Sequence, residues 1–174
     1  MSAGIFIDAR VDGLEGLANG LARMAALGQK PGRIWDAIGN YGANSTRIRF
    51  ARGRDPERKA WIPSIRVKTQ GGLTLVKKGL QGGMQGSLAH VFDNSGTSWG
   101  TNKKYAAVHQ FGATIKAKSA GGLRFALPGV GFVTVRAVKI PARPFLGVNA
   151  DDGRQMLALV NEAIDLAAKN RGGA

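Results

Sequence analysis

Apolar residues change their spacing three times along this chain, and those changes limit the folds open to it. Ile5 and Ile7 alternate, which predicts a short strand over residues 4–8. Helical spacing follows, first at Leu14, Leu17, Ala18, Leu21, Met24 and Ala25, then at Ile34, Ala37, Ile38, Tyr41, Ser45 and Ile48. Asp12 is placed to cap the first helix, Gly28 and Lys30-Pro31-Gly32 separate the two, and the second pattern fades before Gly53. From Ser87 the period shortens. Strands are predicted at Leu88 to Phe92, Thr97 to Trp99 and Thr114 to Lys116, with a short helix between the last two over KKYAAVHQF. Leu123 to Leu127 and Phe132 to Val138 flank a Pro-Gly turn and read as a β-hairpin. After Asn149, a candidate N-cap, helical spacing returns at Met156, Val160, Ala163, Ile164 and Ala167, with Asp151 and Asp152 in the first turn.

The fold class expected is α+β: a small antiparallel sheet with a β-hairpin, two N-terminal helices and a C-terminal helix packed against it. A length of 174 residues suits one domain. Its parts are a strand and helical pair at 1–50, a basic loop region at 51–86, sheet and hairpin at 87–148, and a C-terminal helix and tail at 149–174. Glycines 13, 16, 20, 39 and 42 weaken the first two helices by up to about 1 kcal/mol each, so these helices are expected to depend on packing. The chain lacks cysteine, which removes disulfides, thiolate zinc sites and cysteine nucleophiles. No long apolar run marks a signal peptide or a membrane span, and the expectation is a soluble chain, intracellular at synthesis, without a membrane partner.

Catalytic signatures are absent from the sequence. His90 and His109 are isolated from metal-ligand spacings, and a structural role explains each more simply. Asp151-Asp152 could hold a cation, but helix capping accounts for the pair. In Lys77-Lys78-Gly79-Leu80-Gln81-Gly82-Gly83 the lysines precede the glycines, which is the wrong order for a phosphate-binding loop. No GxSxG elbow is present. Neither enzyme activity nor a cofactor or metal is expected, and a small hydrolase using His109 or Asp151-Asp152 is the weakest of the readings.

Charge is distributed unevenly. The net charge of +14 is above the magnitude of about 2 to 8 usual for a small domain. Arg47, Arg49, Arg52, Arg54, Arg58, Lys59, Arg66, Lys68, Lys77 and Lys78 face only Asp55 and Glu57 over the same stretch. This segment reads either as a solvated loop or as a surface for DNA or an acidic partner that orders on contact. Trp61 beside Ile62-Pro63 could stack on a base or anchor the loop to the core.

Two later blocks are more specific. Gly100 to Gly112 reads GTNKKYAAVHQFG and Ile140 to Gly147 reads IPARPFLG. Together they resemble the Mu-type phage virion morphogenesis family, the tail completion proteins. Trp61 and Pro63 are similar to that family's W-x-P. Gly82, Met84, Ser87 and Leu88 are similar to its "TG-x-L-x-x-S-I", with Gln81 in place of Thr and Met84 in place of Leu. The resemblance covers about residues 50 to 168. It implies a structural protein of a tailed phage that forms a sixfold ring at the neck or head-proximal end of the tail. The implied partners are other copies of itself, a tail terminator or tail tube protein, head-closure proteins and phage DNA in the lumen. The implied location is the virion, and the host cytoplasm during assembly.

Within these blocks Tyr105, Val108 and Phe111 share a helical face that Gly112 can end. Pro141 and Pro144 make residues 140–145 extended and stiff. Tyr105, His109, Phe111, Arg143 and Phe145 are therefore the candidates for a subunit or partner contact. A core position for Phe145 and Leu146, and an internal carboxylate or carbonyl partner for Arg143, are the alternatives. The competing function is non-specific nucleic-acid binding.

Overall fold

The computed structural model describes residues 5–7, 15–26, 31–76 and 83–172. Their order is β1 (Ile5–Ile7), α1 (Glu15–Ala26), α2 (Gly32–Arg52), α3 (Ile65–Gln70), β2 (Leu88–Phe92), β3 (Thr97–Thr101), α4 (Ala106–Phe111), β4 (Ala113–Lys116), β5 (Leu123–Leu127), β6 (Gly131–Val135), β7 (Ala137–Ile140) and α5 (Ala150–Gly172). The class is α+β. Asp12, Gly13, Leu14, Gly28, Lys30 and the stretch 77–82, Lys77 and Lys78 included, lie outside the described residues. Two compact units, interleaved in sequence, are formed by the described parts of Met1–Ile5, Arg47–Ser87 and Thr101–Leu146, and of Phe6–Thr46, Leu88–Gly100 and Gly147–Ala174.

In the second unit, strands β2 and β3, with β1 on the far side of β3, make a three-stranded sheet. Asp93 closes the β2–β3 turn by accepting from the Ser95 and Gly96 amides and the Ser95 hydroxyl. Those bonds, the hydroxyl first, hold its carboxyl below the ordinary carboxylate range. The glycines that weaken the helices are where the helices make their closest contacts. Gly16 and Gly20 of α1 face Leu157, Val160 and Ile164 of α5. Gly39 and Gly42 of α2 face Thr97, His90 and the Trp99 ring.

The buried face of α2 consequently runs through Ile34, Ile38, Gly39, Gly42, Ala43 and Thr46, while Ala37 and Ile48 are exposed. Counting apolar residues misplaces that face because two of its contact positions carry no side chain. A Cβ on Gly42 would lie 2.6 Å from the buried Trp99 ring. Gly42→Ala is therefore expected to cost about 1–3 kcal/mol through overpacking, more than the gain of up to about 1 kcal/mol in helix propensity. Gly96→Ala, which meets open space, serves as the comparison in urea unfolding and should change little.

Helix α5 starts on a reciprocal cap. The Asn149 side chain accepts from the Asp152 amide (2.8 Å), and Asp152 Oδ2 accepts from the Asn149 amide (3.1 Å). The other Asp152 oxygen accepts from the hydroxyls of Ser45 (2.6 Å) and Tyr41 (3.1 Å). Asp152 thus ties α5 to α2, and its neighbour Asp151 pairs with Arg154. His90 Nε2 lies 2.7 Å from Asp36 Oδ1.

In the first unit, β5 and β6 form the expected hairpin, pairing Leu123 with Val135 through Leu127 with Gly131. The predicted strand from Phe132 to Val138 is split. After Val135 the chain bends at Arg136, whose carbonyl accepts from Ala117, and β7 pairs with β4 from Lys116–Ala137 to Ala113–Ile140. Alternation alone cannot reveal a change of partner, because both ribbons keep a period of two. The basic region also differs from expectation. It contains α3, which Ser64 starts by accepting from the Val67 amide and which ends at Gly71 (φ 70°). Six residues are too few to show a helical period.

Candidate functional site

The two sequence blocks and Trp61 meet in the first unit. Phe50, Trp61 and Phe145 pack there as an aromatic cluster, with ring centroids 5.5 Å apart for Phe50–Trp61 and 5.2 Å for Phe50–Phe145. Phe50 and Phe145 are fully buried. Around them the irregular segment 141–146 is fixed by side chains that bond its main chain. Gln110 of α4 donates to the Leu146 carbonyl (2.9 Å) and accepts from the amides of Phe145 (3.0 Å) and Leu146 (3.1 Å). Arg49 donates to the Phe145 carbonyl (3.0 Å), and Trp61 Nε1 donates to the Pro144 carbonyl (2.8 Å). Arg143 reciprocates by donating from Nε to the Ile62 carbonyl (2.7 Å).

These bonds have a common cause. Pro141 and Pro144 prevent regular pairing of a segment that runs through the core, so its buried carbonyls and amides need side-chain partners. Gln110 supplies an acceptor and a donor from one amide, which no apolar residue can do. Gly112 (φ 73°) lets α4 turn into β4 directly against residues 140–142, where a Cβ would come within 2.8 Å of the Ala142 nitrogen. The joint ends there.

Each predicted site residue can now be placed. Phe145 is core and makes no outward contact, and Leu146 is buried beside it. Trp61 anchors the loop to the core. Arg143 is buried on a carbonyl. Tyr105 and Phe111 are exposed, and the buried residues of α4 are Ala106 and Gln110. Of the apolar face predicted for this helix, Tyr105 and Phe111 therefore point outward and Val108 is half-buried, because Gln110 is drawn inward by its three bonds. Gln110 itself was not among the sequence candidates. Its position inside the HQFG block was the available signal.

His109 is half-buried, stands edge-on to the Tyr105 ring at 6.1 Å, and has a buried Nδ1 with no hydrogen-bond partner. Burial, then the Arg143 charge, hold its pKa below the ordinary imidazole value. A depressed pKa means that the unfolded chain binds the proton more readily. The His109 contribution to stability is complete above about pH 6.5 and is lost as pH falls through the folded value. Unfolding of the protein and of His109→Gln, followed from pH 7.5 to 5, should show a steeper acid loss for the former.

The basic residues divide into distinct groups. Arg49 is buried and bonded to the core, so it is not available to a polyanion. Arg66 is committed to the carbonyls of Leu73 and Val76, at 2.7 Å each. Arg47 is half-buried in α2. Arg52, Arg54, Arg58, Lys59 and Lys68 are exposed. Residues 54–60 are a closed turn and no floppy loop: Arg54 and Ala60 form a β-bridge, Asp55 accepts from the Lys59 amide, and Arg58 adopts φ 64°. The turn holds three of the exposed cations in one place.

Among the described residues no group of three His, Cys, Asp or Glu side chains could hold a metal ion, and no helix is long and apolar enough to cross a membrane. Motif residues thus bind one another's main chain, and Tyr105 and Phe111 are left exposed beside them. A family model for the phage virion morphogenesis family matches residues 12–165, and the chain belongs to that family. No curated protein and no solved structure matches it. Membership assigns a structural or assembly role in a phage virion.

Proposed function

We propose that this chain is a tail completion subunit that assembles into a ring, sixfold as the family resemblance implies, at the neck or head-proximal end of the tail. The observation that carries the reading is the main-chain clamp on residues 141–146. It makes the two blocks shared with the family into one rigid joint, and it turns Tyr105 and Phe111 outward beside that joint. A tail terminator or tail tube protein on one side and head-closure proteins on the other are the partners. The exposed cations of residues 52–59 suit a surface that faces DNA in the lumen or an acidic neighbour.

Suppressing the chain during infection tests this. Filled heads and finished tails should accumulate unjoined. Joined, infective particles made without it would defeat the reading. The exposed turn cations favour a second reading, non-specific nucleic-acid binding, which is separated by titrating the purified protein with unrelated duplex DNA. Tight binding with about one unit of log-log salt slope per phosphate contacted would support it. Weak binding supports the assembly role.

A further inference from the structure

The β5–β6 hairpin has two unlike faces. Leu123, Phe125 and Leu127 lie on one of them with Val133 and Val135, and all five are half-buried. The other face pairs Arg124 with Thr134 and Ala126 with Phe132, and all four are exposed. Phe132, and Val130 in the turn, are each 71% exposed, more than any other large apolar residue described. The Arg124 guanidinium carbon lies 4.9 Å from the centroid of the Phe132 ring. Stacking holds the guanidinium by its flat side and leaves its N–H edge free for the two-bond fork that a carboxylate accepts. Among the described residues no carboxylate takes that edge. The stretch between Asp93 and Asp151 contains eight Lys and Arg and no Asp or Glu, so the acid has to come from elsewhere.

Helix α5 carries the matching groups. Leu157, Val160 and Ile164 are turned to α1. On the opposite side Glu162, Asp165 and Leu166, spaced i, i+3 and i+4, are all exposed, Leu166 by 55%. Neither acid has an ion-pair partner among the described residues, whereas Asp36, Asp55, Asp93, Asp151 and Asp152 are held by internal bonds. We propose that the outer face of the hairpin docks on α5 of a second copy of this chain, Arg124 on Glu162 and Asp165, and Phe132 on Leu166. This rests on the assembly role proposed above and names its subunit contact. Hairpin and helix are different surfaces, so the contact is head-to-tail, and its repetition makes a ring when the rotation closes. Copies that each carry +14 repel at long range, but salt screens this beyond about 8 Å, and the charges in contact then decide. Duplex DNA fits this face poorly, because one cation among Ala126, Val130 and Phe132 is not the row that phosphates require.

The chain lacks cysteine, so thiols can be placed singly. Phe132→Cys and Leu166→Cys on one chain, treated with a short bismaleimide in assembled particles, should give a ladder of linked copies on a denaturing gel. Two tagged chains carrying one change each should give a mixed dimer when assembled together. Both positions are exposed, so the unfolding midpoint should not move. Arg124→Glu should lower the amount of chain per particle about tenfold, and adding Glu162→Arg and Asp165→Arg to the same chain should restore it. A link within one chain, a link to another virion protein, no link in particles that contain the chain, or no rescue by the charge exchange would overturn the proposal and leave the assembly role standing. Joined, infective particles that lack the chain would overturn both.

Discussion

Gln110→Leu is expected to remove about 4 kcal/mol or more of stability, since it strands the Phe145 and Leu146 amides and the Leu146 carbonyl in the core at about 1–3 kcal/mol each. Leu fills nearly the same volume, so the loss reports hydrogen bonding and not a cavity. Against a total of about 5–15 kcal/mol for an ordinary domain, one such change takes a large share. Gln110→Glu separates the two halves of the clamp. It keeps an acceptor for both amides but sets a carboxylate oxygen against the Leu146 carbonyl. Its deficit should shrink as pH falls and the carboxyl gains a proton to donate. Denaturant midpoints at unchanged slope, measured at pH 7.5 and 5, check both statements.

Phe50→Ala should cost about 3–5 kcal/mol, through lost burial and the cavity left between Trp61 and Phe145. Phe50→Leu keeps much of the volume and should cost less than half as much. The pair also separates joint from surface. Phe50→Ala loosens the partners of segment 141–146 and should lower incorporation into particles along with stability. Phe111→Ser should lower incorporation alone. Thermal or denaturant unfolding, set beside the amount of chain per particle, distinguishes the two effects.

The sequence was most readable where one side chain does one local task. Asn149 caps α5 as its position predicts, the Pro128-Gly129 turn closes the hairpin, and Gly112 ends α4. It was least readable where a residue serves a distant partner. Gly39 and Gly42 look like helix weaknesses until Trp99, Thr97 and His90 occupy the space they leave. Arg49 and Arg66 look like surface charge, but their targets are carbonyls at Phe145, Leu73 and Val76. Gln110 carries no charge and no apolar surface, so neither periodicity nor charge counting singles it out. The family-like blocks were legible as words, and the structure supplies their physical meaning: each bonds to the main chain of the other.

The charge that sets this chain apart is likewise resolved into parts. Some of it is internal scaffolding, some stands on the closed turn at residues 54–60, and one cation, Arg143, is buried against the Ile62 carbonyl without an acidic partner among the described residues. Image reconstruction of the intact particle, with this chain located in the density, is the most direct test of the account. The result predicted is a closed ring at the head-proximal end of the tail, with the Tyr105 and Phe111 side of each subunit against a neighbouring protein. A particle in which the chain forms no ring, or in which that side faces solvent, would contradict it.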